Sequence, residues 1–335
     1  MTLSKEHYTA LLDERVFAPH ALTEALLNRK RRSVAGEDGN LLIIAADHTA
    51  RGKLSLGKDV IAMADRFTLL DRLVQCLALP GVDGVLASAD ILEELAWLGA
   101  LNHRLAIGTI NRGGIIGARW ELDDRVTSYD VEHIESSGLD GGKTLIRIDH
   151  SDPSVARTLE TVASVTTQLA DRKIMSLIEP LPYLKDEGGS AVLDPSDEAL
   201  IKVVAIASGL GASSAYTWLK IPASARMTEV AGATSLPILM LGGEPTGDPS
   251  ATFDQWTTAM CEPNVRGLTA GRSLLYPLDG DFEGAAARAG TIVHPAKASP
   301  PGPAQFQHAA RQENTPHGKP GRPVIRGGEM KGHTP

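Results

Sequence analysis

The chain has 335 residues, 42% of them hydrophobic and 22% charged, a balance typical of globular proteins and enough length for one large domain or two medium ones. A formal net charge of −8 leaves no footprint for nucleic acid or an anionic membrane, although a few local basic residues suffice to bind a phosphorylated metabolite. Two cysteines, Cys76 and Cys261, form neither a disulfide framework nor a CxxC pair, the first fifteen residues are too polar for a signal peptide, and no apolar run approaches membrane-spanning length, so the expected location is the cytoplasm.

Residues 3–32 read as helical, with Leu11, Leu12, Val16, Leu22, Leu26 and Leu27 as the apolar set and Ala18-Pro19 as the break between two pieces. The basic run from Arg29 to Arg32 reads as a solvated face. A rhythm then begins. Short apolar runs fall at 41–46, 82–87, 105–110, 144–148, 174–178, 216–219, 236–241 and 265–270, most of them rich in Ile, Val and Leu, as in a parallel sheet covered on both sides. Helical patterns lie between them: Val60, Ala64, Phe67, Leu70, Val74 and Leu77 recur at helical spacing, as do Val155, Leu159, Val162, Val165 and Leu169. Eight such units predict an α/β fold, a (β/α)8 TIM barrel over 41–293, preceded by an N-terminal helical extension over 1–40. An open doubly wound sheet is the rival, but even spacing favours closure, and no GxGxxG follows the first run to suggest a dinucleotide site. From 294 to 335 the chain is rich in proline and glycine and nearly free of apolar anchors, the composition of a disordered tail.

A parallel barrel carries its chemistry at the carboxyl ends of its strands. There stand Asp47 and His48, Asn111 and Arg112, Asp149 and His150, Glu179, Lys220, Gly242 and Gly243, and Gly271 and Arg272. Lys220 closes the sixth run, and a lysine at the end of a buried strand must be paired, reach a cavity or lower its pKa, which would make it a nucleophile. Alternation places Tyr216, Trp218 and Lys220 on one face, and Lys143, Leu145, Arg147 and Asp149 on one face of the fourth strand. Lys143 and Lys220 then enter the same interior if Lys143, which opens its strand, reaches upward. Asp47, Asp149 and Glu179 are their candidate charge partners or proton shuttles; purely structural salt bridges are the plainer account. Gly242, Gly243, Gly271 and Arg272, at the ends of the last two strands, suit a phosphate site. His48 and His150 invite a divalent metal with nearby carboxylates, though no close ligand spacing supports one.

At these residues the chain resembles the class I, Schiff-base aldolases, the superfamily of deoxyribose-phosphate, archaeal-type fructose-bisphosphate and tagatose-bisphosphate aldolases. The similar segments are residues 46–52 with Asp47 and Arg51, 143–149 with Lys143, Arg147 and Asp149, 177–183 with Glu179, 219–222 with Lys220, and Gly271-Arg272. The resemblance covers 41 to about 276 and is greatest to a subgroup associated with inositol catabolism. It implies that Lys220 forms the Schiff base, with Glu179, Lys143, Asp47 and Asp149 as catalytic partners and Gly242, Gly243, Gly271, Arg272, Arg147 and Arg51 as substrate or phosphate ligands. The implied reaction splits 2-deoxy-5-keto-gluconate 6-phosphate into dihydroxyacetone phosphate and malonic semialdehyde, with no cofactor. The chain departs from the pattern in extra residues between Asp47 and Arg51 and in Arg147 itself, and both bear on substrate identity. Other ketose-phosphate aldolases or transaldolases (tagatose- or fructose-bisphosphate, sulfosugar phosphate), a metal-dependent lyase and a non-catalytic phosphosugar-binding barrel are the alternatives. The expected partners are a phosphorylated sugar and further copies of the chain, with no nucleic acid or membrane.

Overall fold

Runs of Ile, Val and Leu bounded by turn residues become strands that bury both faces. In the computed structural model, which describes residues 2–295 apart from 112–114, 116, 119–120 and 244–247, they are β1 (Leu41–Ala45), β2 (Gly84–Ala87), β3 (Leu105–Thr109), β4 (Gly141–Ile148), β5 (Met175–Lys185), β6 (Ala191–Leu193), β7 (Thr217–Pro222), β8 (Ile238–Leu241) and β9 (Val265–Ala270). All but β6 pair in parallel, in the order β1-β2-β3-β4-β5-β7-β8-β9, and β9 returns to β1 to close the barrel. This is the expected (β/α)8 barrel. Of the tail expected over 294–335, all beyond 295 lies outside the described residues, as do Arg112, Gly113 and Gly114. Among the described residues no helix is long and apolar enough to cross a membrane.

Two strands differ from their apolar runs. β4 begins at Gly141, before the predicted start, because Gly141 and Gly142 lack side chains yet pair with Met175 and Ser176. A Cβ on Gly142 would stand 2.6 Å from Ile110, so close packing fixes a residue that hydrophobic periodicity passes over. β5 continues through Pro180 and Pro182, where its pairing with β7 has already ended at Ile178, and turns back through β6 in an antiparallel hairpin.

The helices Lys5–Phe17 and His20–Leu27 break at Ala18-Pro19 as predicted. Leu11, Leu22 and Leu26 are buried, whereas Leu12, Val16 and Leu27 are exposed. The basic run that follows is a solvated face only in part: Lys30 and Arg31 are exposed, but its three arginines are paired. Arg29, buried, donates to Asp140 at 2.6 Å and to the carbonyls of Arg104 and Gly138; Arg31 also reaches Asp140, and Arg32 reaches Asp83 at 2.5 Å. Asp83 and Asp140 immediately precede β2 and β4, and their second function is to accept from the backbone N–H groups of Leu42 and Ala106. The arginines thus strap the amino-terminal end of the barrel. Val60, expected in the second helical pattern, lies outside the helix Arg66–Ala78, whose start is set by Asp65 capping the Thr68 N–H.

The apolar core has two layers. Inward residues Leu41, Ile43, Leu86, Ile107, Leu177 and Leu239 fill the barrel, while the alternate residues, such as Leu42, Ile44, Ile146 and Leu219, pack outward in a second layer with helical side chains such as Leu73, Val162 and Leu169. The inward alternation of β1, β5 and β7 continues into Asp47, Glu179 and Lys220, where the interior turns from apolar to charged.

Candidate active site

Strand register explains which side chains meet. Thr109, Lys143, Leu177 and Trp218 form one row across β3, β4, β5 and β7. Glu179 and Lys220 stand two residues further along their strands, level with one another. Lys143 lies one step lower and its long stem reaches up to them. Its Nζ is 2.6 Å from one Glu179 oxygen and 3.0 Å from Asp47 Oδ2, while Lys220 Nζ is 3.1 Å from the other Glu179 oxygen. All four side chains are buried. Four of the residues selected from sequence therefore form a continuous chain, Asp47–Lys143–Glu179–Lys220.

The two lysines are electrostatically unequal. Burial would lower the proton affinity of Lys143, but Asp47 and Glu179 outweigh it and raise its pKa. For Lys220 burial prevails, aided by the Lys143 charge and only partly opposed by Glu179 and Asp47, so its pKa is lowered. Burial would raise the Glu179 pKa, yet Lys143 and Lys220 bring it down to about 2. Asp47 is likewise held far below the usual carboxylate range, against burial, by Lys143 and then Lys220. The result is a fixed ammonium, two fixed carboxylates and an amine biased toward its neutral, nucleophilic form.

The glycines close the site beside β1. Gly271 follows β9, and a Cβ there would stand 2.3 Å from the Ala45 carbonyl oxygen and 2.7 Å from His48 Cε1. On Gly242, after β8, it would stand 2.3 Å from Ser273 Oγ, while Gly243 takes φ +65° and is open to its surroundings. Arg272, buried, starts the short helix Arg272–Leu275, and Arg51 ends the 3-10 turn Thr49–Arg51. The positive field of Arg272 and Arg51 reaches His48, and that of Arg51 also reaches Lys143. Backbone amides with two arginines near a buried amine form an environment that suits a phosphate ester.

Two of the selected residues stand apart. Arg147 is wholly buried, but its guanidinium is occupied: it donates to Asp124 at 2.6 Å and 3.3 Å, to the Glu121 side chain at 2.9 Å and to the Glu121 carbonyl oxygen, and it lies over the Tyr183 ring at 5.6 Å. It ties the segment after β3 to the barrel mouth, with Asn111 assisting through both polar atoms bonded to the Leu145 backbone. The acidic residues at 121–124 are the signal that would have found this pairing. Asp149 accepts from the N–H and hydroxyl of Ser151 and joins neither lysine among the described ion pairs. His150 is exposed while His48 lies beside Asp47 at 4.0 Å, and no group of three or more metal-binding side chains gathers among the described residues.

The closed parallel barrel is a (β/α)8 fold of the kind seen in aldolases of known structure. Two structures of archaeal fructose 1,6-bisphosphate aldolase, 20% and 21% identical, superpose with a TM-score of 0.57 over 82% of this chain and 99% of theirs; the second is described with its catalytic lysine covalently bound to the carbinolamine intermediate of the substrate. A fructose-bisphosphate aldolase from Slackia heliotrinireducens, 13% identical, superposes at 0.54 over 92% of this chain and 95% of that one. At these identities the likeness is one of fold. The chain belongs to the Cgl0159-like family, whose profile matches residues 39–290. The crystal structure of Cgl0159 from Corynebacterium glutamicum is 45% identical, with a TM-score of 0.84 over 87% of this chain and 98% of that one. None of the curated proteins compared matches the chain.

Proposed function

We propose that this protein is a class I aldolase acting on a phosphorylated ketose or keto-sugar acid, with Lys220 as the Schiff-base residue. The observation that carries the reading is the placement of Glu179, 3.1 Å from an amine biased toward neutrality and 2.6 Å from a lysine that stays charged. The Lys220 amine adds to the substrate ketone, and loss of water from the carbinolamine leaves an iminium. Glu179, a carboxylate at rest, takes the proton of the hydroxyl two carbons away. The carbon–carbon bond then breaks, its electrons pass into the iminium to give an enamine, and an aldehyde departs. Glu179 returns the proton to the enamine carbon, and water releases the ketone product. As Lys220 becomes part of a neutral enamine, Glu179 loses one of the two cations that depress its pKa, so the carboxylate becomes more basic when it must hold a proton.

Gly242, Gly243, Gly271, Arg272 and Arg51 are assigned to the substrate phosphate, which orients the ketone; Arg147, already occupied by carboxylates, is assigned to holding the mouth. Within this class we favour 2-deoxy-5-keto-gluconate 6-phosphate, cleaved to dihydroxyacetone phosphate and malonic semialdehyde, on the resemblance of the sequence segments to those of the inositol-associated aldolases. Borohydride reduction in the presence of dihydroxyacetone phosphate tests the assignment. The expected result is a reduced adduct on the peptide containing Lys220, absent from Lys220→Ala; binding without a reducible adduct overturns it.

A further inference from the structure

His48 has no part in the reaction above, yet it lies between its two halves. It follows Asp47 directly, with Nδ1 4.0 Å from Asp47 Oδ1, at the end of the carboxylate–lysine chain. The edge of its ring rests on Gly271, so closely that a side chain there would collide with Cε1 at 2.7 Å. Its backbone is fixed as well, the His48 carbonyl oxygen accepting from the N–H groups of Arg51 at 3.0 Å and Lys53 at 3.2 Å. Nδ1 is buried and has no hydrogen-bond partner among the described residues. Burial first, then the charges of Lys220, Arg272 and Arg51, outweigh the attraction of Asp47 and bring its pKa to about 3, so the imidazole is neutral throughout the physiological range.

We infer that His48 is a specificity-determining residue that hydrogen-bonds the hydroxyl on the carbon next to the reacting ketone, in the half of the substrate retained on Lys220. The inference rests on the Schiff-base reading. A substrate anchored by phosphate at the Gly271 turn and by its ketone carbon at Lys220 extends past His48. Of the polar groups in that half, the phosphate dianion only accepts, and the ketone oxygen is lost as water when the iminium forms. The hydroxyl both donates and accepts, and so can satisfy Nδ1 whichever ring nitrogen carries the proton. A neutral ring also suits a neutral group, since two arginines already serve the anion.

The test compares dihydroxyacetone phosphate with acetol phosphate, which has hydrogen in place of that hydroxyl, by the ketone concentration that half-saturates borohydride-trapped adduct on Lys220. The wild-type protein is expected to prefer dihydroxyacetone phosphate by about 10-fold or more, the worth of one buried hydrogen bond. In His48→Ala that preference collapses toward unity because dihydroxyacetone phosphate weakens while acetol phosphate changes little. His48→Gln, with a donor and an acceptor of its own, regains part of the preference. Equal weakening of both ketones in both variants, or an unchanged preference in His48→Ala, overturns the inference while leaving the Schiff base intact. No adduct with either ketone on the wild-type protein overturns the Schiff-base reading and this inference with it.

Discussion

Replacing Glu179 with glutamine separates adduct formation from bond cleavage, because one carboxylate serves both and only one of them needs its charge. The substitution keeps the shape of the side chain and removes a negative charge 3.1 Å from Lys220 and 2.6 Å from Lys143. At an effective dielectric near 20, a contact of that length is worth about 5 kcal/mol before desolvation is subtracted. Lys143 keeps Asp47 as a partner at 3.0 Å. Lys220 is left facing a like charge without Glu179, its one ion-pair carboxylate among the described residues, so its pKa, already lowered by burial, falls further and a larger share of the amine is neutral at any given pH. Trapping of dihydroxyacetone phosphate by borohydride is therefore expected to persist in Glu179→Gln, and to extend to lower pH than in the wild-type protein. Proton transfer is expected to fail. The wild-type protein should exchange one hydrogen of the hydroxyl-bearing carbon of dihydroxyacetone phosphate with deuterated water, the partial reaction that passes from iminium to enamine and back, and the variant should do so about 10²–10⁴ times more slowly. Both readouts use the same ligand, by mass spectrometry and by nuclear magnetic resonance. Exchange at the wild-type rate would refute the assignment of Glu179 as the proton carrier, and loss of trapping at every pH would refute the electrostatic account of Lys220.

The converse perturbation is Lys143→Met. With the fixed ammonium gone, Glu179 and Asp47 act on Lys220 unopposed and raise its affinity for the proton, so at neutral pH the rate of adduct formation should fall on the order of 100-fold, the equivalent of about 3 kcal/mol of lost repulsion, and recover as the pH is raised. A rate that stays low at alkaline pH would instead make Lys143 a substrate ligand. At the other end of the barrel, His294 bridges Asp38 at 2.7 Å and Asp83 at 2.9 Å, and its hydrogen bond to Asp83, opposed by partial burial and reinforced by Asp38, raises its pKa to about 9. The folded-state pKa exceeds the unfolded value near 6.5, so this stability is fully present below about pH 6.5 and is lost as pH rises through 9. With the side chain 24% exposed, His294→Ala should cost about 1–2 kcal/mol in urea denaturation at pH 6 and little at pH 10; a cost independent of pH would assign the loss to packing.

The parts of the fold that were legible in the sequence are those governed by local periodicity. Alternation puts Trp218 and Lys220 on one face, and Lys143 on a face with Arg147, because a strand sends alternate side chains to opposite sides regardless of what surrounds it. Helix 66–78 began later than its apolar pattern suggested because a single capping residue, Asp65, sets the start. β4 began earlier than its apolar run because Gly141 and Gly142 are placed by what they allow to approach. The arginine strap and the Arg147 latch were illegible for a different reason. Arg29 meets Asp140 across 111 positions, and Arg147 meets Asp124 across 23, and a charge pattern read along the chain carries no information about which distant carboxylate will neutralise it. Strand alternation therefore places Lys143, Arg147 and Lys220 on a face but does not sort them by partner, and the pairing of the Arg29–Arg32 run is missed altogether.

That sorting has a consequence for the chemistry. Lys143, Arg147 and Lys220 all enter the barrel as buried cations. Arg147 has its own carboxylates from outside the barrel wall, Glu121 and Asp124, and is closed off as structure. Lys143 has two carboxylates within 3.0 Å, Asp47 and Glu179, and is stable as an ammonium. Lys220 shares Glu179 with Lys143 and has no other carboxylate within ion-pair distance among the described residues, so it is the cation least compensated for the loss of water. The opposite bias of the two lysines thus follows from an uneven division of carboxylates rather than from burial alone: both are buried, and Lys220, left with half a partner, is the one whose pKa is lowered. An added carboxylate facing Lys220 would abolish that bias without touching the amine itself.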